Sequence, residues 1–428
     1  MKPRSDNEPD QEIFWTKNKI TSKGRVLKDE LVHIGLEKNY MLSRFKRCKD
    51  CIKEHGNISK ITKKLIKINE APQRLPLRIK NLDDIPGFKT YESTCIEGCP
   101  GSGKSTFASN IVEKAYKKYV TIYFSPTHDQ LMNFARKLES KGLDFVIMSD
   151  ESKLKTTLTK YHYSNLPDYN KKQKNRIPKD ARIILSTVNK PLKDLSRSEI
   201  QLIIIDEATR VTFIEALAAI YEIKTARLFI TTGDTHQLGS SDANGRPMIN
   251  ILQYLRENNF RTLLLNHQYR FGEAINKHPS KLFYKGSMIT GSDIQSDIKL
   301  YEISSCEHEK NDIFGCQREA DLCKNLAEFY NATIITPYTT QVRKIQMHEN
   351  DDQVITVDKS QGGEFDNVIL SIGRNSGRGF LSKKRLNVAI TRAKLILIIV
   401  AHSDTINSIS ELYKIAIILD KEGKRIII

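Results

Sequence analysis

The stretch GCPGSGKST, from Gly98 to Thr106, has the residue types and the spacing of a phosphate-binding loop. Its glycines let backbone N–H groups wrap around phosphate oxygens, and a helix that starts within it adds a favourable dipole. Lys104 is placed to reach the β- and γ-phosphates, and the hydroxyl of Ser105 can hold Mg²⁺. Together with Gly103, these residues predict a site for a nucleoside triphosphate.

Two adjacent carboxylates follow 101 positions after Ser105, in the stretch LIIIDEAT. One of them, Asp206, can coordinate Mg²⁺, while Glu207 can act as the base that polarises an attacking water molecule. An Asp-Glu pair alone is usually a solvated turn. Because this pair ends an apolar run downstream of a phosphate-binding loop, we expect it to be catalytic.

Short apolar runs alternate with amphipathic stretches along most of the chain. The strands and helices that these runs predict must position the loop residues and the two carboxylates. The first series is STCIEG, VTIYFSP, ARIILSTV, QLIIIDE and RLFITTGD, and the second begins after Arg261 with TLLLN, ATIITPY, NVILSIG and LILIIVA. Near-continuous apolar strands followed by helical patterns are typical of parallel α/β sheets, which bind ligands at the carboxyl ends of their strands. We predict two tandem α/β domains, at 89–254 and 255–428, after a small basic N-terminal accessory region at 1–88.

The composition limits the class of protein and its partners. The chain has 428 residues, a net charge of +17 and seven scattered cysteines. No apolar stretch reaches membrane-spanning length, and the N-terminus lacks the apolar core of a signal peptide. The cysteines do not suggest a disulfide framework, so we expect an intracellular protein of the cytoplasm or nucleus, in the host cell if viral. The charge favours a nucleic-acid partner, although a merely solvated basic surface also explains it.

A series of motifs in a fixed order resembles the superfamily 1 helicases. They are GCPGSGKS, SPTHDQL, LSTV, DEAT, GDTHQLG, LNHQYRF, ITPYTTQ, TVDKSQGGEFDNVILS and LNVAITRAK, between residues 93 and 400. The nearest branch contains the nonsense-mediated-decay RNA helicase, its DNA-directed relatives and the nidovirus replicative helicases. This resemblance implies two RecA-like domains that translocate on single-stranded RNA or DNA, 5′→3′, and unwind duplexes with an overhang by coupling hydrolysis to domain closure.

Two other functions remain open from the sequence. One is an ATP-switched clamp or remodeller that binds nucleic acid and hydrolyses ATP but separates strands poorly. The other is a small-molecule P-loop enzyme, which would leave the second α/β domain unexplained.

The resemblance also implies roles at the nucleotide. Gln237 is similar to the γ-phosphate sensor, and Arg270 and Arg392 are similar to the two arginine fingers. In the mostly apolar stretch RLNVAITRAK, a guanidinium such as that of Arg392 is costly to bury without an anion, and ATP would supply one. The nucleotide-binding set that this implies is Gly98, Gly101, Gly103, Lys104, Ser105, Thr106, the base-stacking Tyr269, Gly363 and the ribose contact Glu364.

Contacts to the nucleic acid are implied at the strand ends of both domains. Hydroxyl groups and backbone amides suit phosphate contacts, which hold a strand without reading its sequence. The residues that match are Ser125, Pro126, Thr127, Ser186, Thr187, Thr336, Pro337, Tyr338, Thr356 and Asp358.

Some features depart from the family or lie outside its motifs. The glutamine that reads adenine in many relatives is missing before the loop, so other nucleoside triphosphates remain open as substrates. A zinc site at His33, Cys48, Cys51 and His55 is disfavoured, because only one C-x₂-C pair is present. The basic run KKQKNR after Tyr161, Tyr163 and Tyr169 is a contact to single-stranded nucleic acid, a solvated loop or a nuclear-import signal. The N-terminal region leaves room for further protein partners.

Overall fold

The structure is a computed structural model, and it describes most of the chain after residue 93. The described residues are 73–74, 94–149, 156–165, 177–178, 180–190, 192, 199–220, 223, 225–226, 228–240, 248–257, 260–304, 315–346, 353–374 and 379–428. The zinc candidates, Tyr169 and the run KKQKNR lie outside them. Within the described ranges, none of the helices is both long and apolar enough to cross a membrane.

The strands form two larger parallel sheets and one short parallel pair. The strands are β1 (Gln73–Arg74), β2 (Thr94–Gly98), β3 (Val120–Ser125), β4 (Val146–Met148), β5 (Ile183–Thr187), β6 (Ile200–Ile205), β7 (Leu228–Gly233), β8 (Arg261–Leu265), β9 (His267–Gln268), β10 (Ile289–Thr290), β11 (Asp297–Ile303), β12 (Thr333–Thr336), β13 (Val354–Thr356), β14 (Phe365–Ser371), β15 (Ala393–His402) and β16 (Arg425–Ile427). The first sheet has the order β1-β8-β2-β7-β6-β3-β5-β4, the second has β13-β12-β14-β15-β11-β16, and β9 pairs with β10.

Helices follow most of the strands, as parallel sheets require. The α-helices are α1 (Lys104–Ala115), α2 (His128–Glu139), α3 (Phe213–Ile220), α4 (Ile251–Glu257), α5 (Glu273–Phe283), α6 (Gln317–Tyr330), α7 (Thr339–Ile345), α8 (Val357–Ser360), α9 (Lys383–Ile390), α10 (Ser403–Ser408) and α11 (Ser410–Lys421). Short 3₁₀ helices lie at Thr156–Tyr161, Tyr163–Asn165 and Ala208–Arg210. The α/β class with two parallel sheets, predicted from the apolar runs, is confirmed.

The chain divides into two compact units. The first unit comprises the described residues up to Gly98, then Lys104–Thr235 and Gly239–Leu264. The second comprises Leu265–Ile428 together with two short segments, Cys99–Gly103 and His236–Leu238. These two segments carry Gly101, Gly103 and Gln237 of the predicted nucleotide-binding and catalytic residues.

Strand β8 joins the first sheet, whereas the sequence pattern grouped its residues TLLLN with the second domain. It pairs in parallel with β1, with Leu263 opposite Gln73. The first sheet therefore extends past residue 254, where we expected the first domain to end. Alternation of strands and helices shows that a strand exists, but it does not show which sheet the strand enters.

Each sheet is covered by an apolar core, which explains why the sequences of its strands are almost continuously apolar. In the first unit, Ile122, Phe124, Ile184 and Ile205 are buried on the central strands. Helix α1 packs onto this sheet with its buried face, which includes Phe107 and Ile111. Because fully burying one such side chain contributes about 1.5–3 kcal/mol, these near-continuous apolar runs are held inside the sheet.

The central strands of the second unit, β14 and β15, are as apolar as those of the first. Val368, Leu370, Leu397 and Ile399 lie in one buried cluster on these strands. Ile369 and Ile398, which alternate with them in sequence, belong to another cluster. Both faces of the sheet are therefore covered, which is typical of parallel sheets in α/β proteins.

The cysteines depart from expectation at one position. Among the described cysteines, Cys95, Cys99 and Cys323 are free, whereas Cys316 is disulfide-bonded. One bridged cysteine among the described residues is not a disulfide framework, but the count and spacing of the cysteines did not predict it.

Candidate nucleotide and nucleic-acid sites

The phosphate-binding loop connects the end of β2 to the start of α1. Gly101 and Gly103 have φ angles of +71° and +79°, in the left-handed region that glycine adopts readily. A Cβ atom on Gly101 would also lie 2.6 Å from the Cβ of Arg270, within the second unit. Lys104 begins the helix, is 9% exposed and donates to the carbonyl of Gly98 at 2.9 Å. The loop thus has the backbone and the cation that phosphates require.

Asp206 lies at the carboxyl end of β6 and is 2% exposed. Its Oδ2 atom accepts from the Ser105 hydroxyl at 2.9 Å and from the Tyr123 hydroxyl at 2.7 Å. Its Oδ1 atom accepts from the Thr232 hydroxyl and from the backbone N–H of Glu207. The structure therefore joins the two predicted Mg²⁺ ligands, Ser105 and Asp206, although 101 positions separate them in sequence. Hydroxyl and carboxylate oxygens suit this hard cation.

Tyr123 is buried beneath this carboxylate and has no counterpart among the residues predicted from sequence. Burial raises the pKa of its hydroxyl well above 10.0, and the neighbouring charge of Asp206 raises it further. The hydroxyl therefore keeps its proton and acts as a donor. Its ring stacks on Phe134 with the centroids 3.7 Å apart, which fixes the position of the oxygen.

Glu207 has a strained backbone directly after the buried carboxylate. Its φ and ψ angles are 49° and 42°, and it precedes the 3₁₀ helix Ala208–Arg210. A left-handed conformation at a residue other than glycine costs on the order of 1–3 kcal/mol and is found preferentially at functional sites. The two adjacent carboxylates therefore differ in environment, since Asp206 is buried whereas Glu207 is partly exposed.

Tyr269 and Arg270 form a second cluster, within the second unit. The backbone N–H of Tyr269 donates to the carbonyl of Gly101 at 2.9 Å, and the Tyr269 side chain is 41% exposed. The Arg270 guanidinium donates to the Thr391 carbonyl at 2.7 Å and forms an ion pair with Glu364 at 2.6 Å.

Glu364 is thus the carboxylate that the Arg270 side chain contacts. Partial burial raises the pKa of Glu364, but the charge and the hydrogen bond of Arg270 lower it more, with help from Lys394 and Arg392. The net shift is downward, so the carboxylate stays ionised and holds the Arg270 guanidinium.

Arg392 lies between α9 and β15 and is 2% exposed. Its guanidinium donates to the carbonyls of Val388 and Gly363, both at 3.0 Å. It also donates to the side-chain oxygen of Gln237 at 3.4 Å, within the second unit. The predicted γ-phosphate sensor and the predicted arginine finger are therefore in contact.

The predicted nucleic-acid contacts lie at neighbouring strand ends in each unit. In the first unit, Ser125 ends β3 opposite Thr187, which ends β5, and Ser186 precedes it. Pro126 and Thr127 lead from β3 into α2. The Thr127 hydroxyl caps this helix by accepting a hydrogen bond from the backbone N–H of Gln130. The Ser186 hydroxyl donates to the Met148 carbonyl at 3.1 Å.

In the second unit, Thr336 ends β12 opposite Thr356, which ends β13. Tyr338 follows Pro337 and is 8% exposed. Asp358 differs from a phosphate-contacting group, because its carboxylate accepts two hydrogen bonds from Arg385, at 3.0 and 3.1 Å. A carboxylate repels phosphate, so the side chain of Asp358 serves to hold Arg385.

Two of the three tyrosines near the run KKQKNR pack against the first unit. Tyr161 stacks on Phe145 with the centroids 4.1 Å apart, and Lys160 lies 4.7 Å from the centroid of the Tyr161 ring. Tyr163 is 6% exposed and belongs to the core of that unit. These two rings do not form the exposed aromatic surface that the strand-contact interpretation suggested.

Known proteins resemble this chain over the region that carries these residues. Two family models, each described as an AAA domain, match residues 89–298 and 305–404. An uncharacterized ATP-dependent helicase of Methanocaldococcus jannaschii is 25% identical over 351 residues, which are 70% of this chain and 52% of that protein. The ATP-dependent helicase upf1 of Schizosaccharomyces pombe is 23% identical over 397 residues, 72% of this chain and 42% of that protein. Both relatives are named as ATP-dependent helicases, in agreement with the resemblance of the motifs to the superfamily 1 helicases.

The chain spans about half or less of the length of these two relatives. Among solved structures, the Arterivirus nonstructural protein 10 (helicase) in complex with DNA is similar at 20% identity and a TM-score of 0.45. That match covers 72% of this chain and 60% of the viral one.

Several residues of the candidate site could not be found from motifs. Tyr123 and Thr232 lie inside apolar strands, and only the three-dimensional sheet brings their hydroxyls to Asp206. Arg385 lies 27 positions from Asp358, in a motif whose sequence gives no sign of the pairing. A polar group inside an otherwise apolar strand is the one available signal, because buried hydroxyls need partners.

Proposed function

We propose that this protein is an NTP-hydrolysing helicase that uses ATP and Mg²⁺ to translocate on single-stranded RNA or DNA. The observation that carries the proposal is the hydrogen bond between Ser105 and Asp206, which joins a phosphate-binding loop to a carboxylate at the end of β6. The ordered motifs and the net charge of +17 support a nucleic-acid substrate. Movement in the 5′→3′ direction follows from the resemblance.

The residues of the first unit would bind and activate the nucleotide. Backbone amides of the loop and the Lys104 ammonium would hold the phosphates, and Ser105 and Asp206 would hold Mg²⁺. The metal would neutralise phosphate charge. Glu207, which is partly exposed beside the buried Asp206, would accept a proton from the attacking water.

The arginines of the second unit would stabilise the negative charge that develops during phosphoryl transfer. The Arg270 guanidinium is held by Glu364, and Arg392 is held by neutral oxygens of Val388, Gly363 and Gln237. Both side chains are ordered by these contacts, so a γ-phosphate would meet oriented planar donors. Gln237 contacts Arg392 and would link the presence of the phosphate to domain closure.

Nucleic acid would be bound through its sugar-phosphate backbone at the ends of the paired β-strands. Ser125 and Thr187 in the first unit and Thr336 and Thr356 in the second end adjacent strands, and backbone amides and hydroxyls at these strand ends would contact phosphates. Such contacts do not read sequence, and translocation requires that independence.

The rate of ATP hydrolysis with and without single-stranded nucleic acid tests this proposal. We expect single-stranded RNA or DNA to stimulate the rate. Lys104→Ala should abolish hydrolysis with the fold retained, because the lysine is needed for its charge at the phosphates and not for packing. Wild-type turnover in a folded Lys104→Ala protein would exclude the loop as the nucleotide site. Other nucleoside triphosphates should be compared in the same assay.

Unwinding assays distinguish a helicase from an ATP-switched clamp. Duplexes with a 5′ overhang should be separated in an ATP-dependent manner, and those with a 3′ overhang should not. Stimulated hydrolysis without strand separation on either duplex would instead support the clamp.

A further inference from the structure

Phe380 is an exposed aromatic residue close to α9 in the second unit. Its side chain is 48% exposed, although an apolar ring at the surface gains nothing from contact with water. Its backbone N–H donates to the hydroxyl of Tyr338 at 3.0 Å, which ties the segment to one of the predicted nucleic-acid contacts. The preceding residue is Gly379, whose φ angle is +49°.

The orientation of the Phe380 ring is fixed by a stacked guanidinium. The central carbon of Arg385 lies 3.5 Å from the ring centroid. The same guanidinium donates two hydrogen bonds to Asp358, so it is planar, charged and held in place. Ring and guanidinium therefore form an ordered stack.

Basic residues lie near the stack in the fold or in the sequence, and one of them, Lys383, forms an ion pair with Glu411 at 3.1 Å. A Cβ atom on Gly379 would lie 2.6 Å from a guanidinium nitrogen of Arg374, so that cation is next to Phe380. Lys383 and Lys384 in the first turn of α9 are exposed, as is Lys359 beside Asp358. Proteins that bind single strands combine such cations with aromatic rings, because the cations attract the backbone and the rings stack on bases.

We propose that Phe380 stacks on a base of the bound single strand, with Arg385 supporting the ring and Asp358 positioning Arg385. The inference rests on the proposed function and extends it, since the contacts predicted from the motifs are mostly to the sugar-phosphate backbone. All bases offer a π face, so this contact is compatible with sequence-independent movement. It also gives Asp358 a function that does not place its carboxylate against phosphate.

Phe329 provides a matched control on the same unit. It is 81% exposed, more than Phe380, and it lies near the end of α6. Its ring contacts Tyr330 edge-on, and its neighbour Glu328 is acidic and exposed. Phe329 is thus exposed, and among the described residues no guanidinium stacks on its ring.

The test compares the affinities of Phe380→Ala, Phe380→Trp and Phe329→Ala for a labelled single-stranded oligonucleotide, as RNA and as DNA. Loss of one base stack should weaken binding by Phe380→Ala about tenfold. Phe380→Trp should bind as the wild type does, because tryptophan keeps a stacking face, and Phe329→Ala should be unaffected. An oligonucleotide with abasic sites through the binding region should show no difference between the wild type and Phe380→Ala. Melting temperatures confirm that each variant is folded.

Several results would overturn the inference. Wild-type affinity in a folded Phe380→Ala protein would exclude the base stack while leaving the proposed function intact. An equal loss of affinity for normal and abasic strands would show that Phe380 supports the backbone contacts instead. Absence of binding by the wild-type protein to either nucleic acid would overturn the proposed function together with the stack.

Discussion

Replacing Tyr123 by phenylalanine removes one hydrogen-bond donor from Asp206 and leaves the shape of the core unchanged. The Tyr123 hydroxyl donates to Asp206 at 2.7 Å, and the ring, fully buried, stacks on Phe134. Because burial and the charge of Asp206 keep the pKa of this hydroxyl well above 10.0, it is a donor at every working pH. The substitution therefore tests whether the carboxylate must be held in place to bind Mg²⁺.

The expected effect follows from the donors that remain. A hydrogen bond to a charged group contributes about 1.5–3 kcal/mol, and losing a residue that orients a metal ligand lowers metal affinity about 10–100-fold. Ser105, Thr232 and the Glu207 N–H still contact Asp206, so we expect the lower end of this range. In a Mg²⁺ titration of ATP hydrolysis, the midpoint for Tyr123→Phe should rise about tenfold, and excess Mg²⁺ should restore the maximal rate.

Tyr119→Phe is the control, because Tyr119 is also buried in the first unit, at 5% exposure, just before β3. It should leave the Mg²⁺ midpoint unchanged. If Tyr123→Phe has a wild-type midpoint and a reduced maximal rate that Mg²⁺ does not restore, then Tyr123 does not act through a metal-holding Asp206, and the reasoning fails.

Two further predictions concern Glu207 and a buried carboxyl of the second unit. Glu207→Gln should bind ATP normally, because Lys104 and Ser105 are intact, but should release no phosphate, because an amide cannot accept a proton from water; equilibrium nucleotide binding and phosphate release measure the two effects. For Glu319, burial raises the pKa from 4.5 to about 7 despite hydrogen bonds from Ser371 and Gly373. Between these two pH values the folded state keeps a proton that the unfolded chain loses. The contribution of the protonated Glu319 carboxyl to the free energy of unfolding is therefore fully present below pH 4.5 and is lost as the pH rises through 7. In denaturant titrations across this window, the wild type should lose up to about 3 kcal/mol relative to Glu319→Gln, whose amide does not titrate.

Other outcomes would contradict these expectations. A Glu207→Gln protein that cannot bind ATP, or that hydrolyses it at the wild-type rate, would remove Glu207 from the role of base. A difference in unfolding free energy between the wild type and Glu319→Gln that stays constant with pH would show that this carboxyl titrates alike in both states.

The strands could be predicted because parallel sheets bury both faces of their strands. Runs such as LIIIDE and LILIIV are apolar without alternation, and they form the central strands β6 and β15. Sheet membership could not be predicted in the same way. Strand β1 has only two residues, Gln73 and Arg74, and its pairing with β8 depends on the folded chain rather than on a local pattern.

The site was predictable where residues follow strands, and unpredictable where side chains meet within the fold. Ser105 and Asp206 could be expected to lie close together, because both follow carboxyl ends of parallel strands. The buried Tyr123 hydroxyl, the pairing of Asp358 with Arg385 and the ion pair of Arg270 with Glu364 depend on which strands and loops become neighbours. The spacing of residues in the sequence does not show which of these strands and loops become neighbours.

The most direct test of the central claim, that this is an ATP-hydrolysing site completed by arginines, is the turnover of Arg392→Ala and Arg392→Lys with saturating single-stranded nucleic acid. Turnover by the alanine variant should fall on the order of 10³-fold or more, while ATP affinity changes much less because Lys104 and Ser105 remain. The lysine variant should also fail, since an ammonium cannot reproduce the planar fork of donors. The melting temperature must be measured in parallel, because the Arg392 guanidinium also donates hydrogen bonds to Val388, Gly363 and Gln237, and these could stabilise the fold. Variants that melt early yet hydrolyse ATP at the wild-type rate when folded would make Arg392 a structural residue and contradict the account.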